Sequence, residues 1–582
     1  MGFDAGVVSG ANPFYKDFFF LSDWALGWSV GCLTFGAMLG NAVAGPLADR
    51  FGRKPVLMVA ALFYSLSAVS SALATDFSLF IVARMLGGVA VGLALLIAPV
   101  YIAEISAAKL RGRFVSFNQL NIVIGFSAVF FSNYYILKAA DSGGTDWIDK
   151  LNCWRWMLGA ETLPAVLYFV FLFFVPRSPR WLAKRGRYDE ALVVLKKFVS
   201  LEEATESLEE IKQHLAAEID TKPSLAELFS RRMSFIMFIA LGLGFFQQIT
   251  GINAIFFYAP TIFEKTGIRQ ENAFLQTIII GLVNLGFTVL AIYFIDRFGR
   301  RPLLLVGTAV MAICLLTTAW AFQTATYQLT KESLKKLSSE MPVEVVDALA
   351  PMVGKSFGSE AAFVSEATKM AGPKVLGTTD FETQIPANLN SVVNELDPAA
   401  FANSASFEAE ITRKVGQQPF VETFPVSGKN ALRALKKQSF GSRAELMQAV
   451  NNHLDHVALD GYTSTLTSKG LIIRAELVLA AIIGYIAAFA ISLGPVMWAM
   501  FSEIFPNRLR GLAISVAGFF NSLVSYGVQQ VFPWELSSLG PAGTFLIFGL
   551  FAALAFFFTA KFIPETKGRS LEQLEEDFTV KI

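Results

Sequence analysis

The chain of 582 residues is 54% hydrophobic and 16% charged, with 55 phenylalanines and a mean hydropathy of +0.51, which excludes a soluble globular protein and marks an integral membrane protein. A formal net charge of +1, with no long block of like charge, removes nucleic acid as a partner. Cys32, Cys153 and Cys314 stand far apart in or beside apolar segments, so they outline neither a disulfide framework nor a metal centre and read as packing.

Apolar segments of spanning length begin near Trp24, Val56, Phe77, Phe114, Trp156, Met233, Asn272, Pro302, Leu471, Leu512 and Pro541, eleven in all. Before them, Met1 to Tyr15 falls short of the ~20 residues that a spanning helix needs. It reads as the second half of such a helix, with an upstream piece missing, and it lacks the basic start and cleavage site of a signal peptide. Counted as the first of twelve, it sets the sidedness of the loops. Arg50, Arg53 and Lys54, then Lys109, Arg111 and Arg113, then Arg297, Arg300 and Arg301, then Arg508 and Arg510 fall on one side, expected to be cytoplasmic together with both termini.

An internal repeat divides the chain. The run DRFGR at Asp49 to Arg53 recurs at Asp296 to Arg300, and Glu104 precedes Arg111-Gly112 as Glu503 precedes Arg510-Gly511. Each half then has six spans. The second half is far longer between its repeated elements, which locates an insertion between spans nine and ten, outside the cytoplasm. Helical spacing at Leu446, Met447, Val450, Leu454 and Val457 predicts a small, mainly helical accessory domain there. His453, Asp455 and His456 within it read as a solvated helix face rather than a metal site. The resulting organisation is an N-terminal bundle (1–176, its first helix incomplete), a cytoplasmic linker of short helices (177–232), helices seven to nine (233–323), the insertion (324–470), helices ten to twelve (471–563) and a cytoplasmic tail (564–582).

Polar groups inside spans need reasons. In FFQQITGINAIFFYAP, residues 245–260, Gln247, Gln248 and Asn253 supply uncharged donors and acceptors, suited either to a neutral hydroxyl-rich ligand or to bonding between helices. Gln119, Asn121, Asn284 and Asn521 add to the set, and Trp498 offers a broad face for a pyranose ring. Together they suggest a midplane cavity between two bundles. Asp4, Arg84 and Glu161 are ionisable residues within first-half spans, where a lone charge costs ~2.5–3.5 kcal/mol at a helix centre. His214, His453 and His456 all lie outside the spans, so a carboxylate must carry any proton. An Asp4–Arg84 pair that opens and closes is able to bind and release H⁺; a permanent salt bridge is the other reading. The repeated Asp, Arg and Glu positions suit a gate of charge pairs or, more simply, topological anchors. No phosphate-binding loop or nucleophile motif occurs, which argues against an enzyme or an ATP-driven pump.

The pieces GFDAGVVSGA, GPLADRFGRKP, RMLGG followed by PVYIAEISAAKLRG, SPRWL, QQITGIN, DRFGRRP, GPVMWAMFSEIFPNRLRG and PETKGRSLE together resemble the sugar porter family of the major facilitator superfamily, across the chain outside the insertion. The resemblance implies an all-α membrane fold of twelve helices in two six-helix bundles. It places Gln119, Gln247, Gln248, Asn253, Asn284, Trp498 and Asn521 on sugar-contacting positions. Asp4 looks like the aspartate of proton-coupled members, Arg84 like its fourth-span partner, and Glu161 resembles an acidic sixth-span position of bacterial xylose symporters. Asp49, Arg53, Glu104, Arg111, Asp296, Arg300, Glu503 and Arg510 match the intracellular charge network. Three positions depart from the pattern: Phe126 replaces a glutamine, Ser522 a tryptophan, and Arg177 the glutamate of PESPR. The implied function is a monomeric, proton-coupled pentose or hexose symporter of the cell membrane, using neither metal nor cofactor. A facilitator of sugar or myo-inositol and a non-transporting sugar receptor are the alternatives.

Overall fold

The computed structural model describes residues 1–567 apart from 20, 107–110, 142–146, 151, 219–224, 339–340, 342, 359, 377–465, 467–469 and 507–508. His453, Asp455, His456 and the helical spacing read at 446–457 therefore lie outside the described residues. Sustained apolar runs form helices because a backbone in lipid must satisfy its own hydrogen bonds. The first half comprises α1 (Gly2–Phe18), α2 (Asp23–Phe51), α3 (Arg53–Ala72), α4 (Phe77–Ile105), α5 (Arg111–Asp141), α6 (Cys153–Ala160) and α7 (Thr162–Phe174), the last two forming one span. Ser22 and Asp76 cap α2 and α4, accepting from Ala25 N at 3.3 Å and Leu79 N at 2.9 Å. Helices α2 and α4 approach closely because glycines face backbone: a Cβ on Gly36 would strike Met85 O, and one on Gly88 would strike Leu33 O.

Four short helices, α8 (Pro179–Lys184), α9 (Tyr188–Leu195), α10 (Leu201–Glu218) and α11 (Leu225–Leu228), link the halves, the first three sharing a small core around Leu182, Ala191, Leu195 and Leu208. The second half begins with α12 (Arg231–Ile249), α13 (Ile252–Phe257), α14 (Ala259–Glu264), α15 (Gln270–Phe298) and α16 (Arg300–Gln323). Gly52 and Gly299, the glycines of the two DRFGR turns, adopt nearly the same backbone (φ 95°, ψ 159° and φ 89°, ψ 168°), a region essentially reserved for glycine. The repeat in sequence is thus a repeat in conformation.

The insertion forms a separate compact unit, Thr324–Ala475 with Lys265–Ile268. Its described elements are β1 (Thr326–Gln328), α17 (Lys331–Leu337), α18 (Val343–Leu349), β2 (Ser356–Phe357), α19 (Glu360–Leu376) and β3 (Leu471–Ile472). Leu329, Leu337, Val345, Leu349 and Phe363 fill its core. The strands make an antiparallel sheet in the order β2-β1-β3, pairing Tyr327 with Phe357 and Thr326 with Ile472. This sheet adds to the all-α expectation. Strands of two or three residues are too short for alternation to register in sequence. The apolar run expected to be helical from Leu471 accordingly starts as β3 and turns helical at α20 (Ala475–Ile491), followed by α21 (Leu493–Ile504), α22 (Arg510–Ser538) and α23 (Gly540–Phe562).

Eleven helices or helix pairs among the described residues are long and apolar enough to cross a membrane, the number expected. The halves are joined from mid-helix to the end remote from the DRFGR turns. Asn12 Nδ2 donates to Phe257 O at 2.8 Å, Thr34 Oγ1 to Gln529 Oε1 at 2.9 Å and Ser127 Oγ to Gly281 O at 3.0 Å. At the far end Trp24 stacks on Trp534 with ring centroids 6.1 Å apart.

Candidate functional site

Two spans of the second half break where their polar residues cluster. Gly251, at φ 88°, ends the run of α12 and restarts the chain as α13, so Gln247 and Gln248 occupy the last turn before the break and Asn253 the first turn after it. Ser492 separates α20 from α21, and Gln247 Nε2 donates to the Leu493 and Gly494 carbonyls at 3.0 and 3.4 Å just past that break. Broken helices of this kind are how membrane transporters present polar backbone at mid-depth.

The carboxamides form one network. Gln248 Nε2 donates to Gln247 Oε1 (3.1 Å) and Asn521 Oδ1 (3.2 Å), Asn521 Nδ2 to Gln247 Oε1 (2.9 Å) and Gly244 O (2.9 Å), and Asn253 Nδ2 to Gln248 Oε1 (2.8 Å) and Ser525 Oγ (2.8 Å). Gln529 Nε2 extends it to Ser525 Oγ at 2.8 Å. Every bond here is one that a hydroxyl group can replace in kind, because hydroxyls both donate and accept. Trp498 on α21 is 40% exposed and packs edge-on to Phe501. Gln119 is exposed on α5 and Asn284 half-buried on α15. Phe126 of α5 packs on Phe256 and stacks on Phe257 across the halves (centroids 5.7 and 6.3 Å), so an aromatic wall stands where the family pattern has a glutamine.

In the first half, Asp4 and Arg84 are buried at 0% and 1% exposure and meet at 2.6 Å between Oδ1 and Nη1, with Arg84 Nη2 also donating to Asp4 O at 3.2 Å. Glu161, 3% exposed at the junction of α6 and α7, stands 3.9 Å from Arg84 Nη1 with neither carboxyl oxygen hydrogen-bonded. Two carboxyl groups thus share one guanidinium.

At the turn end each half builds its own charge cluster. Arg53 bonds Glu104 (Nη2–Oε1 2.9 Å) and Asp49 (3.1 Å), and the other Glu104 oxygen accepts from Ser178 at 2.5 Å. In the second half Arg300 bonds Glu503 at 2.7 Å, and Glu503 Oε2 accepts from Thr566 at 2.6 Å. Arg510 donates instead to Phe505 O at 3.3 Å. The side chains of Arg111 and Asp296 lie outside the described residues. No group of three or more His, Cys, Asp and Glu side chains is placed to hold a metal ion among the described residues.

The sequence pattern of the "Sugar (and other) transporter" family matches residues 1–341 and 463–578, leaving out the middle of the insertion. The chain belongs to this sugar transporter family. Among its relatives, the arabinose-proton symporter of Bacillus subtilis (strain 168) is 29% identical over 575 residues, covering 99% of this chain and 91% of that protein. The D-xylose-proton symporter of Escherichia coli (strain K12) is 29% identical over 609 residues, covering 99% and 92%. A solved structure described as the partially occluded inward open conformation of the xylose transporter XylE from E. coli aligns with TM-score 0.64 at 27% identity, over 98% of this chain and 96% of that one. This sugar transporter is therefore a multi-pass membrane protein with the major facilitator fold. Within it Gln247, Gln248, Asn253 and Asn521 meet in one network, while Gln119 and Asn284 stand on other helices outside it. Sequence reasoning missed Ser525, Gln529 and Thr34. A spacing of four from Asn521 through Ser525 to Gln529 on α22 was the available signal.

Proposed function

We propose that this chain is a proton-coupled monosaccharide symporter working by alternating access of its two bundles. The observation that carries the reading is the Asp4–Arg84–Glu161 cluster: two buried carboxyl groups against one guanidinium leave an odd negative charge that a single proton balances. The relatives named as arabinose- and xylose-proton symporters support the same chemistry.

In this mechanism the basic loops put the DRFGR turns, both termini and the tail in the cytoplasm and the insertion outside. With the halves joined from mid-helix to the far end, the site opens inward. Sugar exchanges its hydroxyls for the bonds among Gln247, Gln248, Asn253 and Asn521, reaches Gln119 and Asn284, and stacks on Trp498. Protonation of Asp4 weakens its hold on Arg84 and frees α1 to move with the loaded site. The Arg53–Glu104 and Arg300–Glu503 clusters, with Asp49, Arg111, Asp296 and Arg510, close the cytoplasmic side in the opposite state. Substrate specificity is read from the Phe126 wall, which offers no hydrogen bond and favours pentoses or hexoses with an apolar edge turned to it.

Proteoliposomes supply the test. Labelled xylose, arabinose, glucose and myo-inositol are offered with and without an inward proton gradient. At least one monosaccharide should accumulate above equilibrium only with the gradient. Equilibration indifferent to the gradient indicates a facilitator, and binding without entry a receptor; either outcome defeats the proposal.

A further inference from the structure

A set of buried polar atoms without hydrogen bonds runs through the first bundle beside Asp4. It comprises the hydroxyls of Tyr64, Ser67 and Ser71 on α3, Trp154 Nε1 on α6, Arg84 Nε, Asp4 Oδ2 and both carboxyl oxygens of Glu161. None of these residues is more than 3% exposed. Native proteins satisfy nearly all buried polar groups, and ordered water does so where side chains cannot.

Their placement makes a file. Tyr64, Ser67 and Ser71 share one face of α3, climbing from mid-helix towards its far end at Ala72. Trp154 and Glu161 lie seven residues apart along the span that runs antiparallel to α3, with Trp154 at the far end. Arg155 Nη1 donates to Ala72 O at 2.8 Å and so fastens the two ends together. Where the file meets the ion cluster, a Cβ added to Gly87 would fall on Ser67 Oγ and 3.4 Å from Asp4 Oδ2. The Ser67 hydroxyl is therefore within reach of Asp4 through one bridging water. At the far end, Trp154 packs among Tyr15, Phe18, Phe19 and Phe80 with centroids 5.3–6.3 Å away.

The internal repeat supplies a control. Aligned on Arg53 and Arg300, the counterparts of Tyr64, Ser67 and Ser71 are Met311, Cys314 and Thr318. The first two have no hydroxyl, and Thr318 Oγ1 donates to Cys314 O at 3.0 Å. At these aligned positions the second bundle has no matching file of free hydroxyls.

We infer that Tyr64, Ser67 and Ser71 hold a chain of ordered water that delivers protons from the outer face to Asp4, separately from the route taken by the sugar. The inference rests on the symport reading above. Each hydroxyl accepts a proton from the water on its outer side and passes its own inward until the Asp4 carboxylate takes one. The ring cluster around Trp154 covers the outer entrance while the site is open to the cytoplasm, which prevents a leak. When α1 moves, those rings part and the file fills from outside.

The test compares gradient-driven uptake with sugar counterflow at equal pH, for wild type, the double variant Tyr64→Phe/Ser67→Ala, and Ser71→Ala. Counterflow needs the loaded carrier to reorient but no net proton delivery. The expected result is a roughly tenfold fall in gradient-driven uptake for Ser71→Ala, the effect of removing one hydrogen-bonded link from the rate-limiting step, and at least that for the double variant, with counterflow within about twofold of wild type. Unchanged gradient-driven uptake overturns the file. So does an equal fall in both rates, which assigns the hydroxyls to packing. Wild-type uptake with no accompanying proton movement overturns the symport reading instead, and is seen before any variant is measured.

Discussion

Each buried polar side chain in this protein can be assigned by asking what it bonds. Asp4 is held by Arg84 in a place where neither side chain is exposed at the surface. Asp4→Asn should therefore abolish accumulation driven by a pH gradient while sugar exchange at equal pH persists, measured as paired uptake and exchange rates. Gln248 donates to Gln247 and Asn521 and accepts from Asn253, so Gln248→Ala removes a hub of the network. We expect KM for the transported sugar to rise about ten- to a hundredfold, corresponding to ~1–3 kcal/mol of lost binding, read from counterflow titrations. The carboxamides were legible in sequence because an amide inside an apolar span always calls for a partner. Ser525 was not, because a lone hydroxyl in a helix is usually spent on its own backbone, as in Ser515 Oγ to Gly511 O at 2.9 Å. Only the fold reveals that Ser525 instead accepts from Asn253 and Gln529.

Among the elements, the repeated turns show what one departure from the family pattern does. In the second half both Glu565 oxygens cap the start of α16, accepting from Arg300 N and Arg301 N at 3.1 Å each. The triplet Pro564-Glu565-Thr566 corresponds to Pro176-Arg177-Ser178, since Thr566 and Ser178 both bond the paired glutamates. Arg177 thus stands where a carboxylate would cap α3, and an arginine has no acceptor to offer. Arg177→Glu should restore the cap and raise stability by ~0.5–2 kcal/mol, detectable as a higher melting temperature in detergent. The duplicated Asp, Arg and Glu positions could be read as paired elements from sequence alone, because the same charged motifs recur at the same places in the order of spans. The breaks at Gly251 and Ser492 were less legible. A glycine or serine within an apolar span is common, and only packing decides where the helix gives way.

The whole molecule has two states to visit, and the halves are joined here from mid-helix to the end remote from the DRFGR turns. Spin labels placed through Arg50→Cys and Arg297→Cys, both exposed on those turns, should move closer when sugar and acid pH are supplied together. An unchanged distance distribution would argue against alternating access. The two-bundle plan was readable from the repeat, and the insertion from the unequal spacing of the same motifs. Its small sheet was not readable, because β3 follows β1 and β2 by more than a hundred residues and each strand is only two or three residues long. The proposed function turns on coupling, which sugar-induced proton movement reads without an intermediate step. When a transported monosaccharide is added to proteoliposomes in weakly buffered medium, the medium should turn alkaline at a rate matching sugar entry, one proton for each sugar, and Asp4→Asn should abolish the signal. Sugar entry with no alkalinisation in the wild-type protein would refute coupled transport.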